Sequence, residues 1–190
     1  MQTIKHLSSQ ELEAGLDEVL QSPKDSGVVE LIVRRPRMDE REVVDKAQLT
    51  SEAGLVGDMW NVRFSKRTPD GSPNPDQQLT LMNSRVISLL AQDKKRWPLA
   101  GDQLFVDLDL SADNLPAGTR LQIGTAIVEV TSQPHTGCDK FSARFGRDAL
   151  VFVNGPAHRD LRMRGINARI VQPGTVKVGD VVEKIVGQGN

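Results

Sequence analysis

The chain holds a single cysteine, Cys138, and the run around it, SQPHTGCDKFSARF over Ser132–Phe145, has the residue types best suited to chemistry. Cys138 stands where an apolar strand gives way to a helix-like stretch. Unpaired amides at a helix start favour a thiolate, and so do nearby cations, here Lys140, Arg144 and His135 when protonated. Gly137 leaves room for a ligand to approach the backbone, and Pro134 stiffens the loop. A thiolate so placed can ligate a soft metal, attack an electrophile, or carry sulfur as a persulfide. His135 is spaced to share that site. The competing readings are a buried, inert thiol and a histidine that is merely hydrogen-bonded. With 3 His and 1 Cys and no paired-ligand spacing, the sequence does not suggest a structural zinc site.

These residues must be positioned by a β-rich frame. Ser8 and Glu11 are spaced as a capping box for a first helix over about residues 9–21, with Leu12, Leu16, Val19 and Leu20 recurring at helical spacing. Val28–Arg35 alternates as a half-buried strand closed by Pro36, and Val43 and Val44 lie in a partner strand. TPDGSPNPDQQ, Thr68–Gln78, is expected to be an exposed loop, since its prolines and glycine support neither helix nor ladder. Leu79–Met82 reads as a strand, and Asn83 or Ser84 can cap a helix bearing Val86, Leu89 and Leu90. From Gly101 the pattern is nearly all β. Leu104, Val106, Leu108 and Leu110 alternate with Gln103, Phe105, Asp107 and Asp109. Gly124 then divides a hairpin, Leu121–Ile123 with Ala126–Thr131. Phe141 and Phe145 share a helix face, while Ala149–Asn154, Gly165–Val171 and Val181–Val186 read as strands. The whole predicts a mainly β (α+β), barrel- or sandwich-like core with a few short helices.

A chain of 190 residues with 38% hydrophobic and 26% charged residues suits one globular domain, its core running over about 28–186. The formal net charge of −1 gives no general pull toward nucleic acid or an anionic membrane. The start of the chain has no apolar signal segment, and no stretch is long enough to span a bilayer. A lone cysteine needs no oxidising compartment, so the expected location is cytoplasmic.

Four stretches in order resemble the MOSC domain, named for the C-terminal domain of molybdenum cofactor sulfurases and also found as stand-alone bacterial proteins. They are GLVGDMW (Gly54–Trp60), LTLMNSRVISLLA (Leu79–Ala91), NLPAGTRLQIGTAIVEVTSQPHTGC (Asn114–Cys138) and GTVKVGDVVEKI (Gly174–Ile185). The resemblance implies a MOSC-type β-barrel-like fold and a role for Cys138 in binding molybdenum cofactor (molybdopterin) or handling sulfur. As the metal ligand, Cys138 would serve a molybdenum-cofactor-dependent reductase; as a persulfide it would serve a sulfurtransferase. An electron-donor or sulfur-donor protein would be the partner. Two segments differ from the family pattern. Met59, Trp60 and Asn61 follow the early Gly-Asp in place of a histidine-bearing turn, and Gly101-Asp102-Gln103-Leu104 stands where Gly-Glu-Asn-Leu is usual.

A pterin cofactor carries a phosphate, which fixed cations would hold. Besides Arg144, the candidates are Arg85 beside a helix start and the basic run His158–Arg164, in which an extended backbone would put Arg162 and Arg164 on one face. The simpler reading of those arginines is a solvated surface. Asp107 and Asp109 can be paired carboxylates but read more simply as solvent-facing positions. The catalytic candidates are thus Cys138, His135 and Lys140. The rival from another class is a non-catalytic module binding a small ligand or protein, with Trp60 and Trp97 on its contact surface.

Overall fold

A computed structural model describes residues 5–185, so Val186 lies outside the described residues. Seven strands close into a barrel. β1 (Ser26–Arg34) pairs with β6 (Leu104–Asp107), which runs parallel to β5 (Leu79–Asn83). β5 pairs with β9 (Ile166–Gln172), then follow β8 (Ala126–Val130), β7 (Arg120–Ile123) and β11 (Val181–Ile185), and β11 returns to β1. The other barrel pairings are antiparallel. β2 (Glu42–Val44) extends β1, as the apolar pair Val43–Val44 predicts. A second sheet joins β3 (Lys46–Thr50), β4 (Gly54–Leu55) and β10 (Gly174–Lys177).

Two apolar cores result, because the strands are buried on both faces. Leu81, Leu104 and Val106 point into the barrel. Their neighbours Met82 and Phe105 point outward into a helical layer. That layer is built from α1 (Ser9–Ala14), α2 (Leu16–Leu20), α3 (Ser84–Ala91), α4 (Asp139–Phe145) and α5 (Arg147–Asn154). The alternation over 103–110 therefore does not mark a solvent face: Gln103 and Phe105 are fully buried. Trp60 and Trp97 are buried too, rather than forming a contact surface.

The predicted caps form. Ser8 and Glu11 make the capping box, and the Asn83 side chain accepts from the amides of Arg85 and Val86. The first helix is split at Gly15, where a Cβ would lie 2.5 Å from Leu89 Cδ1, so glycine lets the N-terminal helices close onto α3. Three expectations are corrected. Ala149–Asn154 belongs to helix α5, not to a strand: Ala149, Phe152 and Val153 share a buried face while Val151 is exposed, a helical period inside an apolar run. Thr68–Gln78 is not wholly exposed. Pro75–Gln77 forms a 3-10 turn, and buried Gln78 donates to Ser51 O at 2.7 Å and accepts from Ile170 N at 2.7 Å. The third lies at Pro156–Leu161, also a 3-10 turn, which ends with Arg162 in the left-handed region (φ 48°), so Arg162 and Arg164 do not share a strand face.

Candidate functional site

The segment from Thr131 to Cys138 leaves β8 at one rim of the barrel and is held by two asparagines. Asn167, at the start of β9, donates to Gln133 O and Pro134 O at 3.1 and 3.2 Å. Asn154, at the end of α5, grips the Gly137 peptide from both sides, accepting its N–H at 2.8 Å and donating to its carbonyl at 3.0 Å. Gly137 packs onto α5, where a Cβ would come within 2.7 Å of Leu150 Cδ1. Cys138 follows as the N-cap of α4. Its backbone is extended, its carbonyl accepts from Ser142 N at 3.0 Å, and its side chain makes no capping bond. The thiol is exposed, which removes the reading of Cys138 as a buried packing residue.

Behind this segment His135 is tied into an ion-pair chain. Its Nε2 lies 2.7 Å from Asp102 Oδ1, and Arg164 Nη1 donates to Asp102 Oδ2 at 2.5 Å. Arg164 Nη2 donates to Ala100 O at 2.8 Å, and the guanidinium lies 5.0 Å from the Phe141 ring centroid, which couples the chain to α4. Asp102 is fully buried and Arg164 nearly so. Burial opposes ionisation of Asp102, but the Arg164 charge and the hydrogen bonds from His135 and Arg164 outweigh it and hold the carboxyl well below the usual range. For His135, burial and the Arg164 charge outweigh the pull of Asp102, so its pKa is lowered and the ring is neutral near pH 7. An ionised carboxylate can only accept, so the ring proton sits on Nε2 and Nδ1 keeps a lone pair. Glycine is required beside it: Gly165 has φ 110°, and a Cβ there would lie 2.2 Å from Leu81 O and 3.3 Å from His135 Cδ2.

The remaining sequence candidates are dispersed. Lys140 Nζ donates to both oxygens of Asp39, at 2.8 and 3.0 Å. Arg144 reaches the same carboxylate at 3.3 Å and donates to Leu99 O at 2.8 Å. The bond from Lys140, with the charges of both cations, lowers the Asp39 pKa. Arg85 is clamped by Asp107 at 2.7 and 3.1 Å in a separate recess between α2 and α3, so Asp107 serves an ion pair rather than a carboxylate dyad. Asp109 instead accepts from Ser111 N. Arg162 donates to Leu115 O at 2.7 Å, and burial lowers its pKa.

Two cavities flank His135 and share Asn167. One, of about 550 Å³, lies beside the cysteine segment and is lined in part by Thr136, Asn154, Arg159, Asp160 and Arg162. The other, of about 310 Å³, opens toward the 63–77 loop. Its base is formed by Arg35, whose guanidinium donates to both oxygens of buried Asp58 at 2.8 and 2.9 Å and to Gly101 O at 3.0 Å. Sequence reasoning missed Asp102, Asn154, Asn167 and the Arg35–Asp58 pair as parts of the site. For Asp102 and Asp58 the available signal was position, since both lie in the Gly-Asp segments that differ from the family pattern. Among the described residues, no group of three or more His, Cys, Asp or Glu side chains is placed to hold a metal ion, and no helix is long and apolar enough to cross a membrane.

The MOSC domain family model matches residues 71–183. Among solved structures, YuaD from Bacillus subtilis is similar with a TM-score of 0.58 at 19% identity, over 84% of this chain and 95% of that one. YiiM from Escherichia coli is similar with a TM-score of 0.52 at 20% identity, over 86% of this chain and 72% of that one. At these identities the likeness shows a shared fold. No curated protein matches the chain significantly.

Proposed function

This chain belongs to the MOSC domain family, and on that premise we propose that Cys138 provides a thiolate ligand to the molybdenum of a bound molybdopterin cofactor. The observation that carries the reading is an exposed thiol at the end of a segment fixed by Asn154 and Asn167, two residues beyond Thr136, where the same segment walls a cavity large enough for a ligand. The donor set fits: a soft sulfur ligand suits molybdenum, and Arg159 and Arg162 on the cavity wall suit an anionic cofactor. Lys140 and Arg144, next along α4, bring positive charge to the same end of the segment, although Asp39 offsets part of it.

When bound, the molybdenum centre would supply two-electron chemistry to a substrate, with electrons delivered by a partner protein. The chain's own part is orientation and proton handling. His135 Nδ1 is the proton-accepting atom at the wall between the two cavities. Asp102 fixes the ring through Nε2, and Arg164 keeps Asp102 ionised. Asp102 and Arg164 are therefore positioning residues for His135. The exposure of Cys138 supports a second reading, sulfur carried as a persulfide, because a donor protein can reach the thiol.

The test is alkylation of Cys138 by iodoacetamide, followed by mass spectrometry. Cofactor-free protein is expected to be modified rapidly, and protein from a cofactor-competent host to be protected in proportion to its molybdenum. Equal rates in the two preparations would overturn the ligand role. A thiol inert in both would favour the non-catalytic binding module.

A further inference from the structure

The smaller cavity has a composition that the cysteine reading does not use. Its wall carries Arg35, Arg63, Lys66 and Arg67 and, among the described residues, no carboxylate. Arg35 is neutralised by Asp58. Among the described residues the Arg63 and Lys66 side chains have no hydrogen-bond or ion-pair partner, and Arg67 meets only the neutral Gln133 amide, at 2.8 Å. Desolvation, and then the Arg35 charge, push the Arg63 guanidinium below its ordinary value against the opposing pull of Asp58.

The loop that bears them is built rather than loose. Ser65 N donates to Gly71 O at 3.2 Å, the Thr68 hydroxyl reaches Ser65 O at 3.2 Å and Ser72 O at 2.5 Å, and Arg67 N donates to Ser65 Oγ at 3.1 Å. Gly71, at φ 75°, lies against the Phe64 ring, where a Cβ would be 2.4 Å from Cε2. Phe64 lines the cavity and is 75% exposed, so its ring offers an open apolar surface next to these cations.

We propose that this cavity is a substrate subsite for a phosphomonoester, its phosphate held by Arg63, Lys66 and Arg67 and the adjoining part of the ligand resting on Phe64. A dianion with several acceptor oxygens matches converging guanidinium and ammonium groups better than a single carboxylate does. His135 and Asn167 line both this cavity and the one walled by Thr131–Thr136, so the rest of a ligand whose phosphate is held here would lie near the His135 ring. Phosphate binding itself does not depend on the role of Cys138; only the description of the ligand as substrate rests on that reading.

The probes are inorganic phosphate and phenyl phosphate, titrated calorimetrically into cofactor-free protein at low salt. Both are expected to bind, phenyl phosphate more tightly, with Phe64→Ala erasing that advantage. Arg63→Gln and Arg67→Gln should each weaken binding about ten-fold or more. Arg120→Gln, which removes an equal charge from β7, and Cys138→Ser should leave binding unchanged. Equal losses in Arg120→Gln, or none in the Arg63 and Arg67 variants, would overturn the site. Cofactor-loaded protein separates the two sources of phosphate. Retained phenyl phosphate binding supports the substrate subsite. If loading blocks the probe and Arg63→Gln releases molybdopterin, the phosphate is the cofactor's own and the substrate assignment falls. A chain that never loads molybdenum but still binds phosphate through Arg63 and Arg67 would refute the Cys138 reading while leaving this subsite standing.

Discussion

Replacing Asp102 with asparagine tests the ion-pair chain behind His135 in its most exacting form, because the side chain keeps its shape and loses only its charge. In the native protein Asp102 is fully buried and accepts from Arg164 Nη1 and from His135 Nε2. An asparagine can still accept from Arg164 through its oxygen, but its NH2 group then faces His135 and must donate. The ring is forced to carry its proton on Nδ1, and the lone pair on that atom is lost. Arg164 meanwhile keeps a buried positive charge with no anionic partner; Ala100 O remains bonded, and Nε already lacks a partner. Breaking a buried pair in this way costs about 3–5 kcal/mol. For a domain of this size that lowers Tm by about 6–20 °C. Denaturant unfolding gives the energy, and nitrogen-15 NMR of the His135 ring gives the tautomer. A second variant, Asp102→Leu with Arg164→Met, removes both charges and should recover most of the loss. A loss below about 1 kcal/mol in Asp102→Asn, with an unchanged tautomer, would refute the account of Asp102 as the buried counter-charge.

Four other outcomes follow from the same geometry. Asn154→Ala removes both bonds to the Gly137 peptide, so stability should fall by about 1–3 kcal/mol and the Gly137 amide should exchange faster, as measured by hydrogen exchange. The lowered His135 pKa means that the unfolded chain binds this proton first as pH drops. Stability should therefore decline below the unfolded value of about 6.5, until the folded ring also protonates, by no more than about 1.4 kcal/mol per pH unit. His135→Gln should flatten that part of the curve. The depressed Asp102 pKa gives a separate loss, present only as pH falls below the unfolded carboxylate value of about 3.9. Gly165→Ala should destabilise by about 3 kcal/mol or more, since a left-handed backbone and a clash with Leu81 O cannot both relax; a near-native unfolding midpoint would count against the rigid seat assigned to His135.

Local chemistry made much of the fold legible. The capping box at Ser8, the Asn83 cap, the hairpin about Gly124 and the Phe141–Phe145 face all depend on neighbours in sequence, and each forms as read. Ala149–Asn154 was misread because a short apolar run has both periods available, and the choice is made by packing against α4 and α1. The two-faced burial of β6 was hidden for a similar reason: Gln103 looks polar, yet its side-chain oxygen accepts from Thr80 N at 2.8 Å in the interior. The cysteine segment announced itself through Gly, Pro, His and Cys in one run. Its supports did not, because Asp102 and Asn154 reach it from 33 and 17 residues away in sequence and only the closed fold brings them together.

The central claim, that Cys138 holds a molybdenum cofactor, is tested most directly by molybdenum and released pterin per chain, measured on wild type and Cys138→Ser from the same cofactor-competent host. The exposed position of Cys138 means that the serine variant should fold as the wild type does, which circular dichroism and the unfolding midpoint can verify. The account predicts metal and pterin together in the wild type and a loss of most of the molybdenum in Cys138→Ser. Equal molybdenum in the two proteins, or none in the wild type, would contradict it.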